Sequence, residues 1–123
     1  MGKIIEFNVE DWDIIIEESS IPVVVEFWHN KCPACEEMKP IYEKVSEEMV
    51  DSIKFTKMNL LESRENRKHA IQIGVRSTPT FMIFCSGMSI GSLVGIYKKD
   101  DLKDQIKNIV KNKESCLMAT PLE

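Results

Sequence analysis

The apolar residues change their period several times along the chain, and each change marks an element. Ile4 to Phe7 is a short β-rich run. Behind Asn8, a residue type that caps helices, Trp12, Ile15 and Ile16 recur at helical spacing until Ser19-Ser20. Ile21 to Trp28 (IPVVVEFW) is almost continuously apolar, the pattern of a strand buried on both faces, and only Glu26 interrupts it. From about Pro33 to Val50 the apolar positions are Cys35, Met38, Ile41, Tyr42, Val45 and Met49, one stripe of an amphipathic helix. Pro33 suits its first turn, where no N–H is needed, and Pro40 is expected to kink it.

Ile53 to Asn59 alternates as a strand does, and Ser63 can cap a polar helix that reaches about Ile71 and stops at Gly74. Thr80 to Cys85 and Met88 to Val94 are two strands joined by a tight turn at Ser86-Gly87. Gly95 breaks the second. A last helix starts near Asp100, with Leu102, Ile106, Ile109 and Val110 on one side. The order βαβαβαββα predicts an α/β domain over residues 1–113. Its mixed central sheet has about five strands, flanked by four helices. Residues 114–123 read as a loose C-terminal tail.

Composition narrows the function classes. Apolar residues make up 43% of the 123-residue chain, enough for a core, so disorder is not the reading. A net charge of -4 argues against a nucleic-acid partner, which would want a basic patch. No segment approaches the roughly 18 uninterrupted apolar residues that a membrane span needs. Lys3, Glu6 and Glu10 break up the first ten residues, which therefore lack the apolar stretch of a signal peptide. A cytoplasmic monomer is expected, in a compartment where thiols are kept reduced.

That compartment gives weight to the cysteines. Cys32 and Cys35 form a Cys-x-x-Cys pair, whereas Cys85 and Cys116 are isolated. A structural zinc site wants four ligands, usually two such pairs. The remaining candidates, His29, His69, Cys85 and Cys116, are scattered, so no metal is expected. A redox dithiol fits better. Cys32 falls between a buried strand and a helix, and helix N-termini carry unpaired N–H groups and partial positive charge. Both stabilise a thiolate, the nucleophilic form. Cys32 is expected to be the more exposed, attacking thiol, and Cys35, one turn in, the resolving one. The exchange needs no cofactor. Cys85 reads as a small buried hydrophobe and Cys116 as an exposed thiol.

The chain resembles the thioredoxin family over nearly its whole length. The residues that carry the likeness are Phe27-Trp28, Cys32 and Cys35, Pro40, Lys57, the run Gly74-Val75-Arg76-Ser77-Thr78-Pro79-Thr80, Gly87 and Gly95. The resemblance implies a thioredoxin fold that reduces protein disulfides and is recharged by a thioredoxin reductase or similar donor. It implies a cis Thr78–Pro79 bond facing the dithiol. It also implies a substrate surface drawn from Trp28, Lys31, Pro33, Ala34, Val75, Thr78, Pro79 and Gly95. Glu26 stands where the family usually has Asp, and is expected to carry a proton for Cys35 with Lys57 as its partner; a salt bridge at the sheet edge is the alternative. Pro33-Ala34 replaces the usual Gly-Pro, so the amides of Ala34 and Cys35 are both expected to donate to Cys32. With Lys31 close by, this predicts a less reducing pair. The competing readings are a glutaredoxin-like, glutathione-linked enzyme, because Cys32-Pro33 resembles that motif, and a non-catalytic binding module.

Overall fold

The computed structural model describes residues 4–112. The apolar run after Pro22 forms the strand Val23–Trp28 (β2), which lies at the centre of the sheet. Pro22, with no N–H to offer a ladder, stays outside the strand, and its carbonyl accepts the Lys54 N–H at 2.9 Å. The other strands are Ile4–Glu6 (β1), Lys54–Asn59 (β3), Thr80–Cys85 (β4) and Met88–Val94 (β5), and their spatial order is β1-β3-β2-β4-β5. β3 pairs parallel with β1 and β2, whereas β4 pairs antiparallel with β2 and β5. The helices are Pro33–Glu48 (α1), Arg64–Gln72 (α2) and Lys99–Asn112 (α3). This is the mixed α/β sheet expected.

Strand alternation builds two cores, one on each face. Val23, Val25 and Phe27 of β2 pack with Trp12 and Ile16 from the segment after β1 and with Ala70 of α2. Val24 packs with Met38, Tyr42 and Val45 of α1 and Leu102 and Ile106 of α3. By the same alternation Glu26 points to the face covered by α1. On that helix Cys35, Met38, Tyr42 and Val45 are buried, one stripe of the amphipathic pattern. The helix runs through Pro40 without ending there.

The segment expected as the first helix winds differently, as a 3₁₀ turn over Val9–Asp11 and a π turn over Asp13–Glu17. Asn8 does not cap it. Its Oδ1 accepts from Asn66 Nδ2 at 2.9 Å, while Asn66 Oδ1 accepts the Val9 N–H at 2.8 Å. A buried asparagine on α2 thus satisfies the Val9 amide and engages the Asn8 side chain that a cap would have used. Ser63 does cap α2, its Oγ accepting the Asn66 N–H at 3.0 Å. The expected tail, 114–123, lies outside the described residues.

Candidate active site

Four residues after β2 ends, Cys32 occupies the N-cap of α1 in extended conformation, with Pro33 at the first helical position. The Cys35 N–H donates to Cys32 Sγ at 3.1 Å. This is one of the orphan donors of the helix start, and it favours negative charge on that sulfur. Cys32 and Cys35 are joined as a disulfide, with Cα atoms 5.2 Å apart, so the structure shows the oxidised pair. Exposure barely separates the two sulfurs, at 7% for Cys32 and 5% for Cys35. The expectation of a clearly more exposed Cys32 is not met, because the segment preceding β4 folds over it.

That segment brings the Thr78 carbonyl oxygen to 3.5 Å from Cys32 Sγ. The Thr78–Pro79 bond is cis. The Pro79 carbonyl accepts the Gly95 N–H at 2.9 Å, linking Gly95, just past β5, to the same edge. Gly95 has φ +96, where a side chain would strain the backbone. Sulfur, Thr78, Pro79 and Gly95 thus form one chain of contacts.

Beneath Cys35 the surroundings differ. Glu6, Lys57, Glu26 and Phe81 are register partners across β1, β3, β2 and β4. Glu26 is buried, and burial pushes its carboxyl up to about 7. Lys57 pulls it back and Glu6 adds a smaller upward push. A cavity of about 170 Å³ joins Glu26, Cys35, Lys57, Glu36 and Lys39. Lys57 does not close an ion pair with Glu26; its Nζ lies over the Trp28 ring, 5.0 Å from the centroid. Trp28, half-buried at the end of β2, also lines this cavity, and its indole N–H has no hydrogen-bond partner. Tyr42 lies in the core of this face, its hydroxyl donating to the Thr56 carbonyl at 2.7 Å. Burial raises its pKa well above the ordinary value, and Glu26 adds to that rise.

The thioredoxin family model matches residues 3–108. The chain belongs to the thioredoxin family. A thioredoxin of Rickettsia typhi is 38% identical over 93 residues, 76% of this chain and 86% of the relative. Thioredoxin 1 of Synechococcus elongatus is 37% identical over 89 residues, 72% and 80% of the two chains. A thioredoxin of Haemophilus influenzae is 28% identical over 106 residues, 86% and 96%. With the Cys32–Cys35 pair in place, the chain is a thiol–disulfide oxidoreductase with protein-disulfide reductase activity.

At Cys32 the oxidised pair shows fewer donors than the sequence suggested for a thiolate. Of the two amides expected at Cys32 Sγ, only that of Cys35 donates; the Ala34 N–H makes no bond to the sulfur. Lys31 is exposed, and its amide donates to His29 Nδ1 at 3.1 Å. Pro33 is exposed, Ala34 half-buried and Val75 buried, all near the dithiol in sequence or through the Thr78 segment. Cys85 is buried at the end of β4, as expected, and is not a free thiol. Cys116 lies outside the described residues. Among those residues no group of three or more His, Cys, Asp or Glu side chains could hold a metal ion.

Sequence reasoning missed Glu36 and Lys39 in the cavity under Cys35, and Leu61, Arg67, Ile71 and Arg76 beside Thr78. A signal for the second group exists. Arg67 and Ile71 stand four apart on α2 and so share one helix side, and Arg76 lies in the run that ends at Pro79.

Proposed function

We propose that this family member works in the cytoplasm as a monomer, reducing protein disulfides with unequal roles for its two cysteines. Cys32 thiolate attacks a substrate disulfide, forming the Cys32–substrate bond and releasing one substrate thiol. Cys35 then gives its proton to Glu26 and attacks Cys32 Sγ. The Cys32–Cys35 disulfide forms, the second substrate thiolate leaves and takes up a proton, and two electrons have passed to the substrate. A thioredoxin reductase or similar donor returns them. Neither nucleic acid nor a membrane takes part; among the described residues no helix is long and apolar enough to cross one.

The observation that carries this reading is the split in surroundings. Cys32 Sγ receives a helix-start N–H and borders the Thr78 carbonyl, whereas Cys35 shares a cavity with Glu26 and Lys57. Glu26 is suited to take a proton at neutral pH because its carboxyl sits at about 7. Lys57 keeps a cation beside it, which limits the cost of ionising in a dry place. Trp28, Lys31, Pro33, Ala34, Val75, Thr78, Pro79 and Gly95 supply the substrate surface, Thr78 through its backbone.

The test is reduction of insulin disulfides by dithiothreitol, followed as turbidity. The wild type accelerates it and Cys32→Ser does not. Full acceleration by Cys32→Ser would defeat the reading. Supplying thioredoxin reductase or glutathione as the electron source identifies the donor.

A further inference from the structure

Beside the Cys32 edge lies a groove of about 430 Å³ that shares Val75 and Thr78 with the substrate surface and extends it through Leu61, Arg67, Ile71 and Arg76. The turn after β3, the outer side of α2 and the segment before β4 line it, through Leu61, Arg67, Ile71, Val75, Arg76 and Thr78. Its volume falls in the range of binding clefts, roughly 300–1,000 Å³. Two of its apolar side chains are left in water in the free protein: Leu61 is 48% and Ile71 59% exposed. Ile71 stands one helical turn beyond Arg67, so apolar surface and guanidinium share the same side of α2.

The charge of this groove is one-sided. It holds two arginines and no carboxylate, on a chain whose net charge is -4. Neither arginine is spent on an ion pair; those among the described residues join Lys99 and Lys103 to Glu48, and Lys99 to Asp100. Guanidiniums stay charged at all relevant pH values and grip carboxylates through a planar fork. The groove also reaches the reaction centre. Thr78 lines it, and the Thr78 carbonyl lies 3.5 Å from Cys32 Sγ. An extended segment rises about 3.3 Å per residue, so side chains in the groove sit within a few residues of the disulfide under attack.

We propose that this groove is a specificity subsite that selects substrate disulfides flanked by an acidic and an apolar side chain. Arg67 and Arg76 hold the carboxylate, and Leu61 and Ile71 receive the apolar group. The occupant is a protein segment. Glutathione disulfide carries carboxylates but no apolar side chain to cover Leu61 and Ile71. The inference rests on Cys32 as the attacking sulfur.

The test uses two synthetic peptides with the same disulfide, one flanked by Asp and Leu, the other by Lys and Ser, with glutathione disulfide as a third substrate. Reduction is measured with wild type, with the Arg67→Glu/Arg76→Glu double variant, with Ile71→Ser and with Cys32→Ser. The wild type is expected to favour the Asp/Leu peptide by about tenfold, chiefly through KM, because ground state and transition state share the contact. The preference shrinks as salt rises from 0.01 to 0.15 M, where screening shortens from roughly 30 to 8 Å. The double variant reverses it and Ile71→Ser weakens it. All these positions are exposed, and circular dichroism checks that the variants fold. Equal KM for the two peptides in wild type, or a preference that survives the double variant, overturns the proposal. So does an arginine effect confined to glutathione disulfide. Peptide reduction by Cys32→Ser would instead defeat the underlying assignment of the attacking sulfur, a result distinct from any of these.

Discussion

Cys32 and Cys35 are equally buried to within a few percent and bonded to one another, yet they belong to different halves of the molecule. On the Cys32 side are a donated amide, the Thr78 carbonyl and, beyond it, a groove holding two arginines. On the Cys35 side is a small cavity lined by Glu26, whose carboxyl burial pushes up to about 7. The first setting offers a sulfur an N–H donor, and the second sets a sulfur in one cavity with a buried carboxyl and Lys57. The division does not come from exposure. It comes from strand alternation, which sends Glu26 to the face that α1 covers, and from the helix start, which leaves Cys32 on the rim and turns Cys35 inward.

The largest effect expected is on Cys35→Ser. Attack by Cys32 still proceeds, resolution does not, and catalytic turnover falls to background while a mixed disulfide accumulates one to one. Mass spectrometry of the trapped adduct checks this. Equal trapping by Cys32→Ser would erase the distinction between the sulfurs.

Glu26→Gln comes next. Loss of a positioned proton acceptor costs about 100-fold or more in the resolving step, and a rate inflection near pH 7 disappears. Trapping by Cys32, measured in the Cys35→Ser background, should change only a few-fold. A comparable drop in both steps would mean that Glu26 acts on the whole site. Stability offers an independent check. Folded Glu26 keeps its proton up to about pH 7, whereas unfolded it loses it near 4.5. The folded chain therefore binds more protons between those values, and stability falls as pH rises through that window. The difference amounts to about 3 kcal/mol by pH 8. Urea titrations should find Glu26→Gln more stable than wild type at pH 8 and similar at pH 4.5.

Much of this contrast could be read from the chain, because its causes are local. A Cys before a helix, a carboxylate in an apolar strand, and the Thr78-Pro79 segment ahead of a strand each carry their own signal. Thr80–Cys85 and Met88–Val94 begin and end where Ser86-Gly87 and the flanking residues place them. Features assembled from distant segments were not legible. Asn66 bonds Asn8 across 58 positions and so removes the cap expected of Asn8. Lys57 turns to the Trp28 ring, a choice that register alone does not decide. The arginine groove needs the turn after β3, α2 and the segment before β4 together, and no single stretch shows it.

The smallest effect expected separates the two halves by pH. His69 lies on α2, the helix that carries Arg67 and Ile71, with its ring edge-on to Trp12 at 4.3 Å. Its Nε2 is buried without a hydrogen-bond partner, and burial lowers its pKa below the ordinary 6.5. The unfolded chain thus takes up a proton at His69 before the folded chain does, and stability on this account is lost as pH falls below 6.5. Glu26 works in the opposite direction over much of the same range, so the wild-type profile should be flatter than that of either variant. His69→Phe keeps a ring against Trp12 and removes the acid-side loss. Hydrogen-exchange protection, corrected for intrinsic rates, should fall between pH 7.5 and 5.5 for α2 amides more than for α1 amides, and His69→Phe should abolish that difference. Equal loss in both helices would show that the halves do not respond separately. Loss confined to α2 would place acid sensitivity on the half that holds the arginine groove, away from the half that holds Glu26.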